Sequence, residues 1–187
     1  MYTITDLKPG RAITVDGEPY LVVSSQFGRK SQSKANMQCK LKHLKTGSIL
    51  AKNFQGSEKI EPADVGYRKV QFLFRSGDSF TFMDQTNYDQ FELQLDSIED
   101  AAPYLIEGAE ADAVIYNEFP IGIQLKSTVE MKVTDTMPGV KGDTATGGTK
   151  HATLESGLVV NVPLFINIGD KVKINTETQE YMSRVTE

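Results

Sequence analysis

The chain has no tryptophan, one cysteine and two histidines among its 187 residues. A lone Cys39 excludes an intramolecular disulfide, and its place in an alternating strand pattern predicts a buried, inert thiol. His43 and His151 stand far apart, so neither a histidine pair for zinc nor a Ser-His-Asp arrangement has local support. No apolar run approaches the roughly 20 residues that a membrane span requires. Met1 to Asp6 lacks a basic start followed by an apolar core, so no export signal or membrane anchor is expected, and a cytoplasmic chain is the economical reading.

The most informative absence is of acid. No Asp or Glu occurs from residue 19 to residue 57, a stretch that carries Arg29, Lys30, Lys34, Lys40, Lys42, Lys45 and Lys52. Its centre, Gly28-Arg29-Lys30-Ser31-Gln32-Ser33-Lys34, has no large apolar side chain, so packing does not select it, and it reads as an exposed basic loop tip suited to a polyanion. The rest of the chain is acidic. Residues 1–63 hold ten basic and five acidic side chains, residues 64–127 four and twelve, and residues 128–187 six and eight, which together give the net charge of −5. A protein attracted at one end and repelled in its middle is held in one orientation on a polyanion.

The pattern is of short strands. Ala12 to Val15 and Tyr20 to Val23 flank Asp16-Gly17, a pair that tolerates positive φ and predicts a tight hairpin turn. Met37 to Leu41 and Ser48 to Leu50 bracket a second turn at Lys45-Thr46-Gly47. With Phe27 and Met37 at its base, the basic tip stands about five residues out, an arm of roughly 17 Å. The Pro-containing polar stretch around residue 63 marks the end of a first module.

A second module opens with Val70 to Phe74 and returns through Phe80 to Phe82. Period 2 predicts Phe72, Phe74, Phe80 and Phe82 as one core face rather than a base-stacking platform. A short helix is expected from Asp96, with Pro103 limiting its length. The surrounding acids Asp96, Glu99, Asp100, Glu107, Glu110 and Asp112, without His or Cys among them, read as a solvated face and not a metal site. Val129, Met131 and Val133 alternate with Glu130 and Lys132 to begin a third module near Thr128, with later strands at Leu158 to Val162 and Val172 to Asn175.

The third module carries a glycine-rich loop, Gly139 to Lys150. A phosphate-cradling nucleotide loop needs Gly, four residues, then Gly-Lys-Ser/Thr; here Gly142 and Gly147 are followed by Gly148-Thr149-Lys150, so the register fails. Contact of Lys141 and Lys150 with phosphates and a purely structural loop both remain open. His43, among Lys40, Lys42 and Lys45, reads as one more polar group on the basic face. No catalytic constellation is present, and no cofactor or metal is expected.

The residues that identify a relative are Lys8-Pro9-Gly10, Asp16-Gly17-Glu18-Pro19-Tyr20, Lys40-Leu41 with Lys45-Thr46-Gly47, Phe82-Met83-Asp84, Pro138 to Thr144 with Gly147 to Lys150, Val162-Pro163-Leu164-Phe165 and Tyr181-Met182-Ser183-Arg184. On these the chain resembles the bacterial elongation factor P family over essentially its whole length. The resemblance implies an all-β architecture: an SH3-like (KOW-type) barrel at 1–63 followed by two OB-fold barrels at 64–127 and 128–187, set in an L shape comparable to tRNA.

It also implies a non-enzymatic, monomeric factor that enters the ribosome between the peptidyl and exit sites. There it would lie beside the peptidyl-tRNA and touch ribosomal RNA, with the first-module loop pointing at the CCA end. That assigns Arg29, Lys30, Ser31, Gln32, Ser33 and Lys34 to the CCA end and Lys40, Lys42, Lys45, Lys141 and Lys150 to supporting contacts. In the family the loop commonly reads Lys-Pro-Gly-Lys-Gly, its second lysine often extended by a modifying enzyme. Here the matching residues are Arg29-Lys30-Ser31-Gln32-Ser33, so the tip position is Gln32, which has no amine to extend. A register shifted by two would put Lys30 or Lys34 there instead. A paralogue with a different preference among stalled sequences is the near alternative. A ribosome-independent OB-fold RNA chaperone is the distant one, and would need exposed aromatic stripes.

Overall fold

The computed structural model describes residues 1–28, 35–139 and 148–186. Within these the chain is all-β, with three five-stranded antiparallel sheets and short 3₁₀ turns. Two compact units result: Met1–Ala102 with Glu107–Leu125, and Pro103–Ile106 with the chain from Lys126 onward. The first two sheets therefore belong to one unit and the third to the other.

The first sheet comprises β1 (Ala12–Val15), β2 (Glu18–Gly28), β3 (Asn36–His43), β4 (Ile49–Gln55) and the two-residue β5 (Glu61–Pro62), in the order β4-β3-β2-β1-β5. Asp16 and Gly17 take φ of 52° and 81°. Two successive left-handed residues make the turn whose twist suits a two-residue hairpin, as the Asp-Gly pair predicted. Alternate residues of β3, Met37, Cys39 and Leu41, join Ile13, Val22 and Phe54 in the core. Cys39 is buried, and burial pushes its thiol up to about 11, which makes it the inert thiol expected.

The second sheet comprises β6 (Gly66–Ser76), β7 (Ser79–Asp84), β8 (Gln90–Gln94), β9 (Glu110–Tyr116) and β10 (Phe119–Gln124), ordered β10-β9-β6-β7-β8. Phe72 faces Phe82 across the ladder, with ring centroids 5.4 Å apart. Phe80 and Phe82 are buried as predicted, but Phe74 is 54% exposed. A register shift between Phe72 and Phe74 inserts one extra residue, so Phe74 lies opposite Thr81. One bulge residue reverses the side on which every later side chain emerges, and Phe74 leaves the core face to which period 2 assigned it.

No α-helix occurs among the described residues. The helix expected from Asp96 is a single 3₁₀ turn, Leu95–Ser97, led by Gln94 without a side-chain cap, and Pro103 lies inside another, Ala102–Tyr104. Leu95, Ile98, Ala101, Tyr104 and Leu105 are all at least half-buried.

The third sheet comprises β11 (Thr128–Thr136), β12 (Thr149–Leu154), β13 (Val159–Pro163), β14 (Lys171–Asn175) and β15 (Tyr181–Arg184), ordered β13-β12-β11-β14-β15. Met131 and Val133 are buried with Leu154, Val162, Val172 and Ile174. On the other face Glu130 lies opposite Lys173 and 3.4 Å from Lys171, a cross-strand charge pairing.

Candidate nucleic-acid interface

The β2–β3 ladder flanks residues 29–34 on both sides. Phe27 pairs with Met37 and Met37 with Phe54, and the last pair before the tip is Gly28 with Asn36. The acid-free stretch thus runs through three neighbouring strands, β2, β3 and β4. Arg29, Lys30, Ser31, Gln32, Ser33 and Lys34 lie outside the described residues, as does Lys141.

The lysines behind the tip are engaged within the protein. Lys40 Nζ donates to both carboxylate oxygens of Glu99, each at 2.8 Å. Lys42 Nζ donates to Ser97 Oγ at 2.6 Å and Asp96 Oδ1 at 3.2 Å. Lys45 Nζ lies 2.7 Å from Glu18. Lys40 and Lys42 are two apart on β3, so both emerge on the face opposite Cys39 and Leu41, and there they meet the segment from Asp96 to Asp100.

The expectation of a solvated acidic face is therefore corrected in part. Asp96 and Glu99 answer the basic strand, and Asp112 pairs with Lys69 at 2.7 Å, while Glu107 and Glu110 are exposed. Burial would raise the Asp96 carboxyl, but the hydrogen bond and charge of Lys42 bring it below the usual carboxylate range. Asp100 moves the other way. Burial and the neighbouring Glu99 charge push its carboxyl up, against the Ser25 backbone N–H and the Lys40 charge. Sequence reading missed these acids as partners, although a +5 module followed by a −8 module is a signal that the two face each other.

Backbone contact reinforces the same joint. A Cβ on Gly122 would run into the Leu21 side chain, and one on Gly10 would lie 2.8 Å from the Ile123 carbonyl. His43 is also not a free group on the basic face. Its Nδ1 accepts from the Lys45 and Thr46 backbone N–H groups at 3.1 and 3.3 Å, which leaves the proton on Nε2, 3.6 Å from Glu18. It organises the β3–β4 turn.

Lys150 Nζ donates to the Met137 carbonyl at 2.6 Å. The two glycines bordering the undescribed part of that loop have a packing role: a Cβ on Gly139 would run into the Leu164 backbone carbonyl, and one on Gly148 would lie 3.1 Å from Leu164 Cδ1. No cluster of His, Cys, Asp and Glu suited to a metal occurs among the described residues, nor any helix long and apolar enough to cross a membrane.

Three family models match the chain in register with its three sheets: the elongation factor P KOW-like domain over residues 3–60, the OB domain over 65–123 and the C-terminal domain over 129–184. Together they define a translation factor with a KOW-like first domain and two curled OB-type sheets. Full-length relatives agree. "Elongation factor P" of Acidothermus cellulolyticus is 44% identical over 98% of both chains, and that of Thermotoga maritima 43% identical over 98% of this chain and all of its own. The chain belongs to the elongation factor P family. Among solved structures, "Eukaryotic translation initiation factor 5A from Methanococcus jannaschii" is 21% identical at a TM-score of 0.33, covering 66% of this chain and 90% of that one.

Proposed function

We propose that the chain binds the ribosome between the peptidyl and exit sites, beside the peptidyl-tRNA, and that its 29–34 loop steadies the CCA end to promote peptide-bond formation at polyproline stalls. The observation that carries this reading is the acid-free, basic stretch of residues 19–57, which runs through β2, β3 and β4 on an otherwise acidic chain of this family. Three modules, 1–63, 64–127 and 128–187, serve it as arm, mount and further ribosome-facing surface. Arg29, Lys30 and Lys34 supply charge to phosphates. Gln32, whose amide both donates and accepts, suits a ribose hydroxyl without modification.

Nothing in the bond change needs a group from this protein. Holding the ester end in a reactive pose lowers the barrier through orientation and entropy while the ribosome catalyses. Lys40 and Lys42 support the arm's base, Lys45 belongs to the adjoining turn, and Lys141 and Lys150 form a second RNA contact. Gln32→Ala in a purified translation system tests the reading: Pro-Pro-Pro synthesis falls while ribosome binding holds, and an unchanged rate removes Gln32 from the mechanism. The uncharged tip favours a second reading, a paralogue acting on other stalls, for which relief would be at least as strong at motifs without proline.

A further inference from the structure

We propose that Asp96 and Glu99 of the second sheet's crossover are positioning residues that aim the basic hairpin, so that the second sheet acts as the mount of the arm. The inference rests on the reading above for its functional consequence, and on geometry alone for the mount.

The contacts reach both strands of the hairpin. On β3, Lys40 is held by both oxygens of Glu99, and Lys42 by Asp96 and Ser97. On β2, Leu21 lies against Gly122 of β10 so closely that a Cβ there would run into its side chain. Leu21 lies opposite Lys42, so the Gly122 and Lys42 contacts meet the hairpin at one level. A single contact leaves a ribbon free to pivot, whereas contacts on two strands fix its tilt.

A carboxylate that grips an ammonium with both oxygens also restricts the lysine's rotation. Lys40 and Glu99 are each more than one-third exposed, so their pairing adds little to stability. Direction is the property that such a pair controls. A tilt at the mount is carried along the hairpin to its last described pair, Gly28 with Asn36, and beyond. A misplacement of about 1 Å costs up to about a hundredfold in a reaction that depends on orientation.

Charge also selects this arrangement. The acidic segment meets the longest acid-free stretch of the chain, residues 19–57, at Lys40 and Lys42. The ion pairs thus separate the basic side chains into those that aim and those that bind.

The test uses the full chain carrying Lys40→Glu, Glu99→Lys or both exchanges, with Lys40→Met as a variant that introduces no repulsion. Two measurements are made. Spin labels on Gln38→Cys and Gln90→Cys report the angle between hairpin and second sheet, the native Cys39 being buried. Pro-Pro-Pro synthesis is titrated with factor. Each single variant broadens the distance distribution and lowers the saturating rate about tenfold with an unchanged half-saturating concentration, and the double exchange restores both. Distributions identical to wild type in Lys40→Met and Glu99→Lys overturn the mount. A broadened distribution with an unchanged saturating rate overturns the aiming role. If the wild-type factor does not promote Pro-Pro-Pro synthesis while the distribution responds to the exchange, the functional reading fails and the mount stands.

Discussion

Leu21 on β2 occupies the space that a side chain on Gly122 of β10 would need. The first two sheets meet there closely enough that one methyl group is felt, and interiors packed at this density resist added volume. Gly122→Val is expected to destabilise the chain by about 1–3 kcal/mol in denaturant unfolding. Leu21→Ala in the same chain opens room for the valine, so the double variant loses less than the sum of the singles. Strict additivity would separate the two residues.

Asp100 gives the joint a pH dependence of unusual sign. Its carboxyl is raised above the ordinary value of 3.8, so the folded chain holds this proton more tightly than the unfolded one. The associated stability is present below the ordinary value and declines as pH rises through the window between the ordinary and the raised pKa. Asp100→Asn removes that decline and keeps an acceptor for the Ser25 N–H. Relative to wild type, the variant therefore gains stability on going from pH 3 to pH 7. Asp96 and Glu18, both lowered by their lysine partners, act in the opposite sense in wild type and variant alike, and cancel in the comparison. A flat difference across that range counts against the buried carboxyl.

The division of lysines sets the salt dependence of ribosome binding. Each phosphate neutralised on a single strand contributes about 0.7 to the slope of log affinity against log salt. Arg29→Gln and Lys34→Gln should each reduce the slope by about that amount, whereas Lys40→Gln and Lys42→Gln leave it unchanged. Equal reductions from all four would return Lys40 and Lys42 to the RNA-binding set.

Phe74 and Phe82 differ in burial although both were assigned to one face. Phe82→Ala is expected to cost about 3–5 kcal/mol, as a fully buried ring does, and Phe74→Ser no more than about 0.5 kcal/mol. Thermal unfolding of the pair of variants decides it.

These residues mark what a linear reading reaches. Turn chemistry is local, so Asp16-Gly17 and Lys45-Thr46-Gly47 declared their hairpins, and the Phe27–Met37 base followed from strand pattern. A β-bulge is not local: nothing near Leu73 announces the extra residue, which is fixed by pairing with β7, and so Phe74 was placed on the wrong side. The short helix failed because Asp96 and Glu99, spaced like a cap, are used by lysines more than 50 residues away. Of the candidate site, the basic stretch was legible as charge. The assignment of individual lysines was not, because an ion pair across two sheets depends on how those sheets meet.

β5 has a consequence for crowded conditions. It forms one boundary of the first sheet, is two residues long, and ends in Pro62, which has no N–H. Boundary strands that are long and regular invite a neighbouring molecule to extend the ladder. This one offers almost nothing to extend, so growth by strand addition is blocked on that side of the sheet.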